Sequence, residues 1–386
     1  MAIDLALTVL GWVQSNAMAQ TLTFDPANQS ITPQMHVLPV HSGGRVVVSH
    51  LTGPLPSGAM AYAHEWPGLY FEAAFTGIAV TLKFNDSVNE YRLMIGDLPP
   101  IPITQPGAVE IGLTDLLDLP HDLRLKKGTG SIDLTGVFAG FYVAADAQPG
   151  PVSPRPRQIE FIGDSDMTGF GIRSSRRIGT PDQVRLMSGT QAAYPALVAG
   201  HFDADYQVNA ISGRGMVRNY DGFDPGIAIQ FVYPTSLPSG GTAHEQASWH
   251  PQIINVALGG NDFATGLHAD ENWVNPAALI DYFTNNFSRF VTDLHVKNPN
   301  ATILIALPHG STIPEARTAQ CVTDFQSALL TTAGQIGLGR IDFLTLTDAK
   351  PEFTACDYPP SVRDQQNRAA WLIGYLEDHP GLWDRP

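Results

Sequence analysis

A serine, a glycine and an asparagine, each a few residues beyond a short apolar run, are the residues of this chain best suited to chemistry. Gln158-Ile159-Glu160-Phe161-Ile162-Gly163-Asp164-Ser165 ends one run on a serine, and Gly169 and Gly171 follow closely enough to allow a tight exit. Asn209-Ala210-Ile211-Ser212-Gly213-Arg214-Gly215 offers the backbone N–H of Gly213. Gly259-Gly260-Asn261-Asp262 offers the side-chain N–H of Asn261. Acyl transfer needs such a set: a nucleophile, and donors aimed at the oxygen on which negative charge develops. Each donor is worth roughly 3–4 kcal/mol of transition-state stabilisation. Singly, Gly-Asp-Ser recurs by chance in many loops and Gly-Gly-Asn-Asp is an ordinary turn. The weight lies in their order, each after a different run.

Those runs define the elements that must position the set. Ile159 to Ile162, Ile253 to Leu258, Ala301 to Leu307 and Ile341 to Leu346 are compact and mostly apolar, as in strands buried on both faces of a parallel sheet. Tyr206 to Ile211 is a fifth, interrupted by Gln207 and Asn209. Leu279, Phe283, Phe287, Phe290, Val291 and Leu294 recur at helical spacing, as do Val322, Phe325 and Leu329, and then Ala369, Leu372, Ile373 and Leu376. Alternating strand and helix predicts an α/β three-layer fold over residues 158–386, with its site at the strand C-terminal ends. Residues 25–147 read differently. Ile78, Val80, Leu82 and Phe84 alternate at a period of two, as do Tyr91, Leu93 and Ile95. Val46 to Val48 and Val137 to Val143 are further short runs between turn residues. That pattern predicts a β-sandwich. Residues 148–157, with four prolines between Gln148 and Pro156, form the expected linker.

The 386 residues suffice for two cores, and a net charge of −15 argues against nucleic acid or an anionic membrane surface as partner. Leu5 to Val13 is apolar and Ala17-Met18-Ala19 is a small-x-small pattern. Residues 1–19 therefore read as a secretory signal, with Asp4 where a basic residue is usual, and export or a periplasmic location is expected. No other run approaches the ~18–20 apolar residues that span a bilayer. Two cysteines, Cys321 and Cys356, exclude a disulfide scaffold or zinc ribbon. They either pair, tying a helix to the loop of Asp357, or remain buried thiols.

The order Gly163-Asp164-Ser165, Gly213, Gly260-Asn261-Asp262 resembles the SGNH (GDSL-type) hydrolases. With His64-Glu65-Trp66-Pro67-Gly68 and Asp205 to Gly215, the chain is most similar to carbohydrate esterase family two, the acetylxylan esterase group, over roughly residues 30 to 380. The resemblance implies a jelly-roll domain followed by an SGNH domain, and O-deacetylation of acetylated polysaccharides or sugars without metal or cofactor. It makes Ser165 the nucleophile, and Ser165 N–H, Gly213 and Asn261 the oxyanion hole.

One block departs from the family. Its pattern of Asp, aromatic, His, Pro, Ser becomes Asp357, Tyr358, Pro359, Pro360, Ser361. Proline has no titratable side chain and cannot take a proton from Ser165. Four explanations stay open. His268 or His309 substitutes as base, His379 being near the end of the last helix. Asp357 or Asp166 acts as a weak one. The protein is a silent binder of acetylated glycans, using aromatics such as Tyr358. Or the sequence carries an error or a deliberate substitution at this codon.

Overall fold

In the computed structural model, residues 31–130, 135–176, 178–240, 242–245, 247–306, 341–344 and 360–384 are described. The helix expected through Val322, Phe325 and Leu329, both cysteines and the N-terminal segment read as a secretory signal lie outside them. Among the described residues no helix is long and apolar enough to cross a membrane.

The first domain is two antiparallel sheets packed face to face. In chain order its strands are β1 (His36–Val37), β2 (His41–Gly43), β3 (Val47–His50), β4 (Met60–His64), β5 (Tyr70–Gly77), β6 (Val80–Asp86), β7 (Glu90–Ile95), β8 (Ile101–Thr104), β9 (Gly107–Leu113), β10 (Leu119–Lys127), β11 (Gly136–Val143) and β12 (Gln148–Pro149). One sheet runs β3-β4-β11-β6-β9 with β1 on β11; the other runs β12-β5-β10-β7-β8 with β2 on β5. The period-two residues Val80, Leu82, Phe84, Tyr91, Leu93 and Ile95 point between the sheets, against Phe71, Phe138 and Phe141. Ile78, counted in the same alternation, instead precedes β6 and is exposed, its carbonyl accepting from Leu116 N–H. The start of the proline-rich stretch adds the short β12 to β5, at a sheet edge where proline is tolerated.

The second domain holds a parallel sheet of β13 (Arg157–Gly163), β14 (Ala204–Ala210), β15 (Ile253–Val256), β16 (Thr302–Ala306) and β17 (Ile341–Leu344), in the order β14-β13-β15-β16-β17. In chain order its helices are α1 (Ser165–Thr168), α2 (Pro181–Met187), α3 (Tyr194–His201), α4 (Ile229–Val232), α5 (Gly260–Phe263), α6 (Pro276–Lys297) and α7 (Val362–Asp378). The apolar stripe of α6 covers one sheet face, from Leu279 to Leu294 against Ile254, Val256, Ile303 and Ile305. Val198 and Ala199 of α3, with Ala369, Leu372 and Leu376 of α7, cover the other. The layers are those expected of alternating strands and helices.

Gln207 and Asn209, which interrupt the β14 run, belong to a buried polar junction between the domains. Arg45, before β3, sends its guanidinium to Glu160 of β13 at 3.1 Å, both side chains only 2–3% exposed. Arg45 also donates to Gln207 at 3.3 Å and to the Tyr233 carbonyl, and lies over the Tyr233 ring. Asn209, Tyr233 and Trp249 donate to the Glu160 carboxylate at 2.6, 2.7 and 3.2 Å. Glu65 accepts from Ser239 N–H at 2.8 Å, and Trp66 Nε1 reaches Thr235 O at 3.4 Å. The His64-Glu65-Trp66 motif thus docks one domain on the other. Nearby, Arg155 forks onto Glu72 at 2.8 Å through two nitrogens and reaches Asp205 at 3.0 Å, where His41 Nε2 also lies at 3.0 Å.

Arg45→Ala strands the Glu160 charge away from water and should cost roughly 3–5 kcal/mol, read from denaturant midpoints. Asp205 gives a pH signature. Burial pushes its carboxyl up, but the hydrogen bonds from His41 and Tyr70 hold it down at about 2. The unfolded chain therefore binds this proton more readily. The contribution of Asp205 is complete above the ordinary carboxylate range and is lost as pH falls through about 2. Asp205→Asn should flatten the acid limb of stability against pH.

Candidate active site

Strand register brings the three chemical residues to one edge. Gly163 pairs with Ala210 and Ile162 with Val256, so β13, β14 and β15 end level with one another. Ser165, Gly213 and Asn261 lie two, three and five residues beyond those ends. Ser165 opens α1 directly after β13. Gly169 closes that helix in the left-handed conformation, its N–H on the Ser165 carbonyl. Gly213 sits at φ 76°, a left-handed conformation that favours glycine, and a Cβ there would lie a tight 3.1 Å from the Phe223 ring. Among the described residues the backbone N–H groups of Ser165 and Gly213 have no protein acceptor.

The three loops are bolted together. Asn261 Nδ2 lies 3.0 Å from Asp164 Oδ2 and 3.0 Å from the Arg214 carbonyl, and the Thr168 and Ser212 hydroxyls are 2.7 Å apart. The buried Asp262 carboxylate accepts the N–H groups of Met216, Val217 and Arg218 at 2.8, 2.8 and 2.9 Å. Arg218 returns to the Asp262, Thr265 and Gly266 carbonyls and pairs with Glu271. The sequence motif contained Asp262 but not its partners, which lie over forty residues away in the chain.

Of the bases considered from sequence, His268, Asp166 and His379 have other partners and the rest lie outside the described residues. His268 is exposed, with Nε2 2.8 Å from Asp221, which raises its pKa. Asp166 is held by Arg368 of α7 at 2.6 Å. No described side chain hydrogen-bonds to Ser165 Oγ. His379 bonds the Tyr375 carbonyl at the end of α7. His309, Asp357, Tyr358 and Pro359 lie outside the described residues. The helix that follows them is fixed beside Ser165: Ser361 caps α7 with Asp364, and Gln365 donates to the Asp166 carbonyl at 2.9 Å. Two aromatics that sequence reasoning missed, Tyr220 and Phe223, are 51% and 41% exposed on the loop of Gly213, suited to stacking on a sugar ring. Their signal, two aromatics in a glycine-rich loop, is indistinct without the fold.

His41, Glu72 and Asp205 bring ligand atoms within 4.8 Å of one another, but the Arg155 guanidinium already supplies the cation at that point. Asp262→Ala should leave three buried N–H groups without an acceptor, at roughly 1–3 kcal/mol each. Hydrogen exchange should then accelerate at Met216, Val217 and Arg218 while the amides of the first domain are unchanged.

Comparison with known proteins agrees with the two-domain architecture. Residues 161–372 match the GDSL-like lipase/acylhydrolase family, and residues 56–152 match the carbohydrate esterase 2 N-terminal domain. An acetylxylan esterase / glucomannan deacetylase of Cellvibrio japonicus (strain Ueda107) is 35% identical over 90% of this chain and 92% of its own. A solved carbohydrate esterase, whose active site displays divergent catalytic and non-catalytic binding functions, superposes with a TM-score of 0.81 at 33% identity, over 90% of this chain and all of that one. A family two carbohydrate esterase from Clostridium thermocellum, solved with cellohexaose, shares the fold with a TM-score of 0.71 at 22% identity, covering 89% of this chain and all of its own. The chain belongs to the GDSL-like acylhydrolases, a family of carboxylic ester hydrolases, and is built on the two-domain plan of carbohydrate esterase family two.

Proposed function

We propose that this chain removes O-acetyl groups from an acetylated plant polysaccharide, of the xylan or mannan type, through an acyl-enzyme on Ser165. The observation that carries the proposal is the convergence of Ser165, Gly213 and Asn261 on one sheet edge, the N–H groups of Ser165 and Gly213 having no acceptor among the described residues. Ser165 Oγ attacks the acetyl carbonyl, and Ser165 N–H, Gly213 N–H and Asn261 Nδ2 stabilise the oxyanion. The sugar oxygen leaves with a proton, and water then releases acetate from the serine. Tyr220 and Phe223 support the sugar. A polymer of this size lies outside the cell, which agrees with the export read from residues 1–19.

Pro359 limits the rate. A general base contributes about 10²–10⁴, while a site lacking a triad member keeps roughly 10³–10⁴ over water from its oxyanion hole and binding. A slow esterase is the expected behaviour. Pro359 also favours a second reading, in which the same loops bind acetylated glycan without turnover.

Acetate release from acetylated xylan should be slow and should vanish in Ser165→Ala. Pro359→His should raise kcat by about 100-fold or more. Equal rates in wild type and Ser165→Ala would remove the acyl-enzyme. Saturable glycan binding with Ser165 inert to a fluorophosphonate would establish the binding reading.

A further inference from the structure

The Asn261 carboxamide has two N–H bonds, and both find acceptors inside the protein: Asp164 Oδ2 and the Arg214 carbonyl, each at 3.0 Å. The oxyanion hole is thus uneven. Among the described residues the N–H groups of Ser165 and Gly213 have no acceptor, while the third donor is already engaged. One of its two acceptors must let go before it can serve. The Arg214 carbonyl is main chain, in a turn closed by Arg214 N–H on Ile211 O at 3.1 Å and Gly215 N–H on Asn219 Oδ1 at 3.2 Å. Asp164 is a side chain, adjacent in sequence to the nucleophile, and its affinity for an N–H depends on its charge.

We propose that Asp164 is the positioning residue that gates the oxyanion hole: as carboxylate it binds the Asn261 amide, and as carboxylic acid it yields one N–H to the reacting carbonyl. The inference rests on the esterase reading for its catalytic meaning. The groups facing Asp164 make the switch accessible. Asp166 on its own helix donates a backbone N–H to Asp164 Oδ1 at 3.3 Å, Arg368 approaches from α7, and Asp262 lies on α5. Burial, with the negative Asp166 beside it, pushes the Asp164 carboxyl up to about 8. The neutral, releasing form is populated at neutral pH, and the gripping form grows in as pH rises through that value.

The first test needs no turnover. With ¹⁵N-asparagine labelling, and Asn261→Ala to identify the signal, the Asn261 side-chain amide should titrate with a midpoint well above the ordinary carboxylate range. The shift should be flat in Asp164→Asn, which keeps an oxygen to cap α1. Asp166→Asn removes a neighbouring negative charge and should lower the midpoint. A flat wild-type response, or one that survives in Asp164→Asn, overturns the proposal even if the chain proves to be a silent binder. The second test is kinetic, in a Pro359→His background. Between about pH 7 and about pH 10, kcat should fall at least about tenfold with KM little changed, toward the ~10²–10³ that outright loss of one oxyanion donor costs. That fall should be absent in Asp164→Asn and in Asn261→Ala. An alkaline fall that persists in both variants overturns the gate while leaving the esterase reading intact.

Discussion

A negative charge inside a parallel strand is the constraint around which this molecule is arranged. Glu160 lies in the middle of β13, two strands of the sheet beside it and another domain above it. A carboxylate removed from water must be paired and fully hydrogen-bonded. Arg45, Asn209, Tyr233 and Trp249 meet that demand, and they come from the other domain, from β14 and from two loops of the catalytic domain. The pair need not add stability over an apolar alternative. It does specify one docking arrangement, because a shifted interface would leave the charge unpaired. β13 and β14 are also the strands that end at Ser165 and Gly213, so the junction and the site share the same supports.

At the catalytic edge the governing fact is how backbone N–H groups are distributed. Asp262 consumes those of Met216, Val217 and Arg218, which holds the loop in place. Those of Ser165 and Gly213 have no acceptor among the described residues. A site that stabilises developing charge needs this division: some donors spent on rigidity, others unspent and aimed at the place where charge will appear. Arg218 completes the frame by binding carbonyls of the loop that carries Asn261. Ser165, Gly213 and Asn261 are therefore held together by contacts within these three loops.

Much of this was legible in the chain before folding. The apolar runs became strands within a few residues, because a strand buried on both faces must be apolar almost throughout. Their ends were less clear: the Ile253 run stops at Val256, where Ala257 N–H still bonds Ile162 O before the chain turns toward α5. Ile78 fit its alternation and yet lies outside its strand, since a period of two says nothing about where pairing begins. Gln207 and Asn209 looked like blemishes in a strand and are members of the domain junction. His268, placed near Asn261 by sequence distance, turns to Asp221, whose position no local pattern reveals.

Sequence alone determined the division into a β domain and an α/β domain, the order in which Ser165, Gly213 and Asn261 follow three strands, and the absence of histidine from its usual block. These follow from periodicity, from residue type and from order, all of which are local. Only the tertiary structure decided that Asn261 is already engaged, that Asp164 engages it, that Asp262 and Arg218 hold the loops, and that Tyr220 and Phe223 face solvent beside Gly213. Each of those depends on register and packing between segments far apart in the chain. Hydrogen-bond partners are chosen by distance in space, and a linear pattern carries no record of it.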